Sequence, residues 1–141
     1  MIKLCFLLLA FASVATGLIG RTQSAGVRGV LVCDGKPASG VTVKLWDDDR
    51  GIDADDLLAA GKTNSMGQFE LQGHTDEMTS IDVKLNIYHD CNDGVKPCQR
   101  KFTIKVPDSY ITNGKTPKKI YDAGTIQLAG IYPKESRDCL H

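Results

Sequence analysis

Ile81, Val83, Leu85 and Ile87 alternate without a break with Asp82, Lys84, Asn86 and Tyr88. In an extended backbone successive side chains point to opposite sides, so a period of two gathers the apolar set on one face of a strand. A helix would scatter the same residues around its circumference. Phe102, Ile104 and Val106 alternate in this way with Lys101, Thr103 and Lys105, and Val41, Val43 and Leu45 with Thr42, Lys44 and Trp46. Phe69 with Leu71 and Ile126 with Leu128 form shorter runs, while Val27–Cys33 is apolar almost throughout and suits a strand buried on both faces. Asp34-Gly35, Ser65-Met66-Gly67 and Asn113-Gly114 supply turns between them. Short strands at this spacing predict an all-β sandwich or barrel. One stretch departs from the pattern. Asp53-Ala54-Asp55-Asp56-Leu57-Leu58-Ala59-Ala60 reads as a short helix, with acids in the first turn and Gly61 as its stop.

The amino terminus reads differently again. Lys3 precedes an apolar run, Leu4–Ala15, followed by small residues, which is the make-up of a secretory signal peptide. The expected leader is residues 1–17, with cleavage after Gly17 or, alternatively, after Ala15. The run falls well short of the ~20 residues of a spanning helix. Residues 18–141 then form one domain, as a chain of 141 residues suits. Lys+Arg and Asp+Glu are both 17, so there is no basic excess to neutralise phosphates, and nucleic acid is an unfavourable partner. No Asn-x-Ser/Thr sequon occurs.

Loss of the leader removes Cys5 and leaves Cys33, Cys91, Cys98 and Cys139, an even number that in a secreted chain predicts two disulfides. No C-x-x-C pair is present, so zinc is the weaker reading. Strand parity orders the bonds. Cys91 continues the parity of Leu85 and Ile87, and Cys98 that of Phe102 and Ile104, so a hairpin would put both on the core side. The expectation is Cys91–Cys98, with Cys33–Cys139 pinning the carboxyl-terminal segment.

Several segments resemble the transthyretin fold. Gly35-Lys36-Pro37-Ala38-Ser39-Gly40-Val41-Thr42-Val43 resembles its first strand connection, and Gly61-Lys62-Thr63-Asn64-Ser65-Met66-Gly67-Gln68-Phe69 its next turn. The nematode transthyretin-like family is the nearer likeness, carried by Leu31-Val32-Cys33, by Leu85-Asn86-Ile87-Tyr88-His89-Asp90-Cys91 and by Arg137-Asp138-Cys139. The resemblance implies a Greek-key β-sandwich of seven to eight strands, here with the one short helix and the two disulfides. It also implies an extracellular binding or adaptor protein, bridging anionic lipid headgroups such as phosphatidylserine to a surface receptor.

The transthyretin fold also supports 5-hydroxyisourate hydrolase, which carries His and Arg around a channel and ends in Tyr-Arg-Gly-Ser. This chain ends Arg137-Asp138-Cys139-Leu140-His141, and its three histidines, His74, His89 and His141, do not match that pattern. No G-x-S-x-G elbow is present, and oxidised cysteines leave no Cys–His pair. The reading is therefore non-enzymatic, without cofactor or metal. Asp47–Asp53 has acids at alternate positions, but Leu58 stands where a calcium-binding loop needs a bidentate Glu. Carriage of a small hydrophobic ligand, as in hormone-carrying transthyretin, is a further alternative that needs a channel between subunits. The expected contacts are Lys101 and Lys105 on the outer face of one strand, Lys118 and Lys119 in a loop, and Trp46, opposite the apolar face of its own strand. These suit an extracellular or cell-surface protein and an anionic phospholipid, with peripheral membrane contact at most.

Overall fold

A computed structural model describes residues 20–48 and 55–141. The predicted signal peptide and Asp49 to Ala54 of the acidic segment lie outside the described residues. In chain order the strands are β1 (Arg21–Cys33), β2 (Lys36–Pro37), β3 (Thr42–Asp47), β4 (Asp56–Lys62), β5 (Gln68–Glu77), β6 (Val83–His89), β7 (Gln99–Lys105), β8 (Thr112–Asn113), β9 (Tyr121–Gln127) and β10 (Ser136–Asp138). The only helical turn among the described residues is a 3₁₀ turn at Asp108–Tyr110. Ten strands stand where seven to eight were expected because β2, β8 and β10 are only two or three residues long.

The strands form two five-stranded sheets. In the first, β1 is central: β5 pairs along one side from Arg21 to Val30, β8 and β9 pair along the other, and β2 folds back on its end. The second sheet has the order β10-β7-β6-β3-β4 and is antiparallel throughout. The chain passes back and forth between sheets: the β1–β2, β3–β4 and β6–β7 ladders join consecutive strands, and the other five join strands that are not consecutive.

The period-two pattern decides what faces what. Val43 and Leu45 of β3, Val83, Leu85 and Ile87 of β6 and Phe102 of β7 point inward and meet Val27, Leu31, Phe69 and Leu71 of the first sheet. Burying a side chain of this size contributes about 1.5–3 kcal/mol. The expectation that Val27–Cys33 is buried on both faces holds only in part. Val27, Gly29 and Leu31 are buried, but Arg28 is exposed and Val30, Val32 and Cys33 are half-buried.

The predicted helix is corrected. Asp56–Lys62 is strand β4, in register with β3 from Thr42↔Lys62 to Asp47↔Asp56, with a bulge between Leu45 and Trp46. Helix propensity loses here to pairing with β3, and two glycines let the paired strand pack on β5. A Cβ on Gly73 would sit 2.2 Å from the Leu58 carbonyl oxygen, and one on Gly61 would sit 3.1 Å from Leu71. Both glycines let β4 close against β5.

The disulfide pairing is also corrected. The bonds are Cys33–Cys91, with Cα atoms 5.8 Å apart, and Cys98–Cys139, with Cα atoms 4.3 Å apart. Parity fails because the β6–β7 ladder stops at His89↔Arg100. Beyond it the backbone turns, with Asn92 at φ 53° and Cys98 at φ 65°, so neither cysteine continues an extended strand. Cys91 is delivered across the core to the end of β1. The register Asp138↔Gln99, extended by one residue, sets Cys139 opposite Cys98.

Candidate functional site

The outward side of the second sheet is built by the same alternation that fills the core. Lys44 and Trp46 of β3, Lys84, Asn86 and Tyr88 of β6, and Lys101, Thr103 and Lys105 of β7 share it, and the register sets them in rows. Tyr88 lies between Thr42 and Lys101, Asn86 between Lys44 and Thr103, and Lys84 between Trp46 and Lys105. Lys44, Trp46, Lys84, Tyr88, Lys101 and His141 are among the residues that line a groove of ≈ 490 Å³ on this face.

Tyr88 is the floor of the groove. It is 3% exposed although it points away from the core. The His141 ring covers it, with centroids 4.1 Å apart and planes at 11°. The ammonium groups of Lys44 and Lys101 lie 5.6 and 5.8 Å from the Tyr88 ring centroid, within cation–π reach. His141 is held by Gln99 through Nε2. Asn86 donates to the Tyr88 hydroxyl at 3.3 Å and accepts from Thr103 Oγ1 at 2.8 Å.

The charges on this face are mixed. Lys84 pairs with Asp55 at 2.8 Å and Asp48 at 3.5 Å, Lys101 with Asp138 at 3.7 Å and Lys105 with Asp82 at 3.2 Å. Burial pulls the Lys84 ammonium down, but Asp55 and Asp48 outweigh it and hold its pKa above the ordinary lysine value. Lys44 has no carboxylate partner among the described residues. Trp46 adds an indole N–H that is buried in the groove wall without an acceptor. Leu57 sits beside Trp46 across the β3–β4 ladder and is itself half exposed, while Leu58 packs toward the core.

The groove unites two of the predicted contact residues, Trp46 and Lys101. Lys105 lies on the same face, tied to Asp82. Lys118 and Lys119 follow β8 in the other sheet, where they line a separate depression with Ser109, Ile111, Thr112 and Asn113. Arg100, the sequence neighbour of Lys101, faces inward and is buried. Its parity with Phe102 announces this, just as the parity of Lys44 and Tyr88 with Trp46 and Lys101 announces the groove. His141 had no signal at all, because it follows the last strand.

The three histidines lie in different surroundings. His74 is exposed on β5, His141 caps Tyr88, and His89 is buried on the inner face of β6. His89 Nδ1 accepts the Cys91 N–H at 3.1 Å, and its Nε2 has no partner. Burial, and then the nearby Arg100 charge, push its pKa below the ordinary histidine value. Cation-binding residues are sparse. Asp34 lies with Cys33 and Cys91, but those sulfurs are joined in a disulfide; the carboxylates of Asp47, Asp56 and Glu77 approach within 4.8 Å of one another. Asp47 Oδ1 already accepts from the Asp82 N–H at 3.0 Å.

The sandwich, its two disulfides and the family profile agree. The transthyretin-like family (TTR-52) profile matches residues 28–107. The chain belongs to the transthyretin-like family. It is 72% identical over 139 residues to Transthyretin-like protein 5 of Caenorhabditis elegans, covering 99% of both chains. Transthyretin-like protein 33 of the same organism is 58% identical over 120 residues, covering 85% of this chain and 84% of the relative. Transthyretin-like protein 2 is 54% identical over 128 residues, covering 87% and 86%. These names state membership of the transthyretin-like family and no enzymatic activity. The family match takes in Lys44, Trp46, Lys84, Tyr88 and Lys101 of the groove and ends before Lys118, Lys119 and the closing Cys139.

Proposed function

We propose that this transthyretin-like chain is a secreted, non-enzymatic binding protein that attaches to cell surfaces through the outer face of its second sheet. The observation that carries the reading is the groove itself: three lysines, two aromatic rings and an indole N–H without an acceptor converge on one solvent-facing sheet surface. Asp55 and Asp138 also line the groove and pair with Lys84 and Lys101, which leaves Lys44 without a carboxylate among the described residues, so the complement is an anionic acceptor such as a phosphatidylserine headgroup, with a surface protein as the second partner. Lys118 and Lys119, both exposed, supply a second anion contact from the other sheet. Two disulfides suit an oxidising, extracellular setting.

Sedimentation with phosphatidylserine-containing and neutral liposomes across a salt series tests this. The expected result is pelleting with the anionic liposomes only, fading toward ~1 M salt as the Debye length shrinks to about 3 Å. Lys44→Glu with Lys101→Glu should abolish it, and Lys118→Glu with Lys119→Glu should weaken it. Equal binding to both liposomes, or full binding by the Lys44/Lys101 variant, would remove the lipid contact.

A further inference from the structure

The surface reading leaves open why an aromatic ring sits on the groove floor under a second ring. A tyrosine that points to solvent from the middle of a sheet is ordinarily half exposed. Here it is shielded by one imidazole stacked flat on it, between two ammonium groups. Cys139 is fixed to Cys98, and beyond it Leu140, 93% exposed, and His141 lie along the groove. The ring on Tyr88 therefore reaches its seat on a two-residue tether.

We infer that the groove is a binding site for a small planar ring bearing one acidic group, an aromatic or heteroaromatic carboxylate or sulfonate, which takes the seat of His141 on Tyr88. The inference rests on the groove being the contact surface, as in the preceding reading, but needs no membrane. Each half of the ligand has a counterpart. The ring stacks on Tyr88 as the imidazole does. The acidic group meets Lys44, whose charge no carboxylate among the described residues neutralises, and the Trp46 N–H, whose hydrogen bond is unmade. Lys84, Lys101 and Lys105 are already paired with aspartates, so the face has room for one negative charge rather than a polyanion. A buried donor without an acceptor is unfavourable, and a ligand oxygen that reached it would satisfy it.

Trp46 is the single tryptophan of the chain, so its indole N–H gives one cross-peak in a ¹H–¹⁵N spectrum. The disulfide-bonded protein is titrated with benzoate, cyclohexanecarboxylate and benzamide, which separate planarity from charge. Benzoate should shift the Trp46 indole and His141 ring signals in a saturable way. The other two should bind at least about fivefold more weakly. His141→Ala should tighten benzoate binding by roughly two- to tenfold, since the competing stack it removes is of that order. Lys44→Gln should weaken it, and Lys118→Gln should leave it unchanged. A merely structural role for His141 predicts the opposite sign, weaker binding on its removal. Benzoate failing to shift Trp46 in both wild type and His141→Ala would overturn the inference, as would equal binding of cyclohexanecarboxylate. The liposome assay reports separately on surface attachment, because it scores pelleted particles rather than occupancy of Tyr88.

Discussion

Arg100 and Glu135 form a two-pronged ion pair inside the edge of the second sheet, with Nε to Oε2 at 3.0 Å and Nη2 to Oε1 at 2.8 Å. Two more donors of the guanidinium are also used. Nη1 donates to the Cys91 carbonyl at 2.7 Å, and Nη2 to that of Gly130 at 2.8 Å. One side chain therefore ties β7 to the loop after β6 and to the segment before β10. Arg137 repeats the device with Asp93. The hydrogen bond from Arg100 holds the Glu135 carboxyl below its ordinary range, and that from Arg137 does the same for Asp93. Together these pairs fix the frame from which Cys139 and His141 extend toward the groove.

Breaking such a pair from one side leaves the other charge buried and alone. Arg100→Met should therefore destabilise the fold by about 3 kcal/mol or more, seen as a lower urea midpoint with little change in slope. Arg100→Met combined with Glu135→Leu should recover much of that loss. A double variant no more stable than the single one would show that the pair is not what holds this edge.

The disulfides make a second prediction. Non-reducing peptide mapping should recover Cys33–Cys91 and Cys98–Cys139, whose partners are 58 and 41 residues apart. In the chain-entropy account each bond contributes about 4 kcal/mol, less any strain. Cys33→Ala with Cys91→Ala should thus lower stability by about 2–4 kcal/mol while leaving Cys98–Cys139 intact. A Cys91–Cys98 peptide in the map would refute the register argument.

What the sequence made legible, and what it hid, divides along one line. Local alternation was enough to place Val43, Leu85, Ile87 and Phe102 in the core, and it put Trp46 and Lys101 on the outside. It failed where the outcome depends on a partner remote in sequence. Leu57 to Ala60 look helical in isolation, and only pairing with β3 makes them a strand. Cys91 and Cys98 look like hairpin partners until left-handed residues at Asn92 and Cys98 end the alternation. Lys118 and Lys119 of their loop were expected to serve one ligand together with Lys101 and Lys105, yet β7 and the loop after β8 belong to different sheets. His141 could not be found at all, because nothing in Leu140-His141 encodes the ring it covers.

Close approach of β4 and β5 gives a sharper test of the corrected strand. Gly73→Ala places a methyl group where only the Leu58 backbone has room. Backbone cannot swing aside as a long side chain can, so β4 must lift away. The expected cost is about 2–3 kcal/mol, in the range of overpacked positions. Faster amide exchange should be concentrated in Asp56–Lys62 and the paired half of β3. A neutral Gly73→Ala would mean that Leu58 does not lie against β5.

Acid stability carries the last prediction, and its sign follows from burial. In the unfolded chain His89 takes up a proton near pH 6.5. In the fold, desolvation and then the Arg100 charge push its pKa below that value. Between the two values the unfolded state holds more protons, so stability is full above pH 6.5 and falls as the pH drops toward the folded pKa. Glu135 and Asp93 act lower on the scale. Their folded pKa values lie beneath the unfolded values of about 4.3 and 3.9, so their contribution is present above those values and is lost on further acidification. Urea midpoints measured from pH 7.5 to 3 should therefore decline in two steps, the first opening near pH 6.5 and the second near pH 4. His89→Gln cannot take up a proton and should flatten the first step while keeping the second. Arg100→Met with Glu135→Leu should reduce the second and largely keep the first, since burial is the main cause of the His89 shift and the opposing charges of Arg100 and Glu135 are removed together. A His89→Gln protein with an unchanged decline between pH 7 and 5 would place the acid sensitivity elsewhere in the molecule.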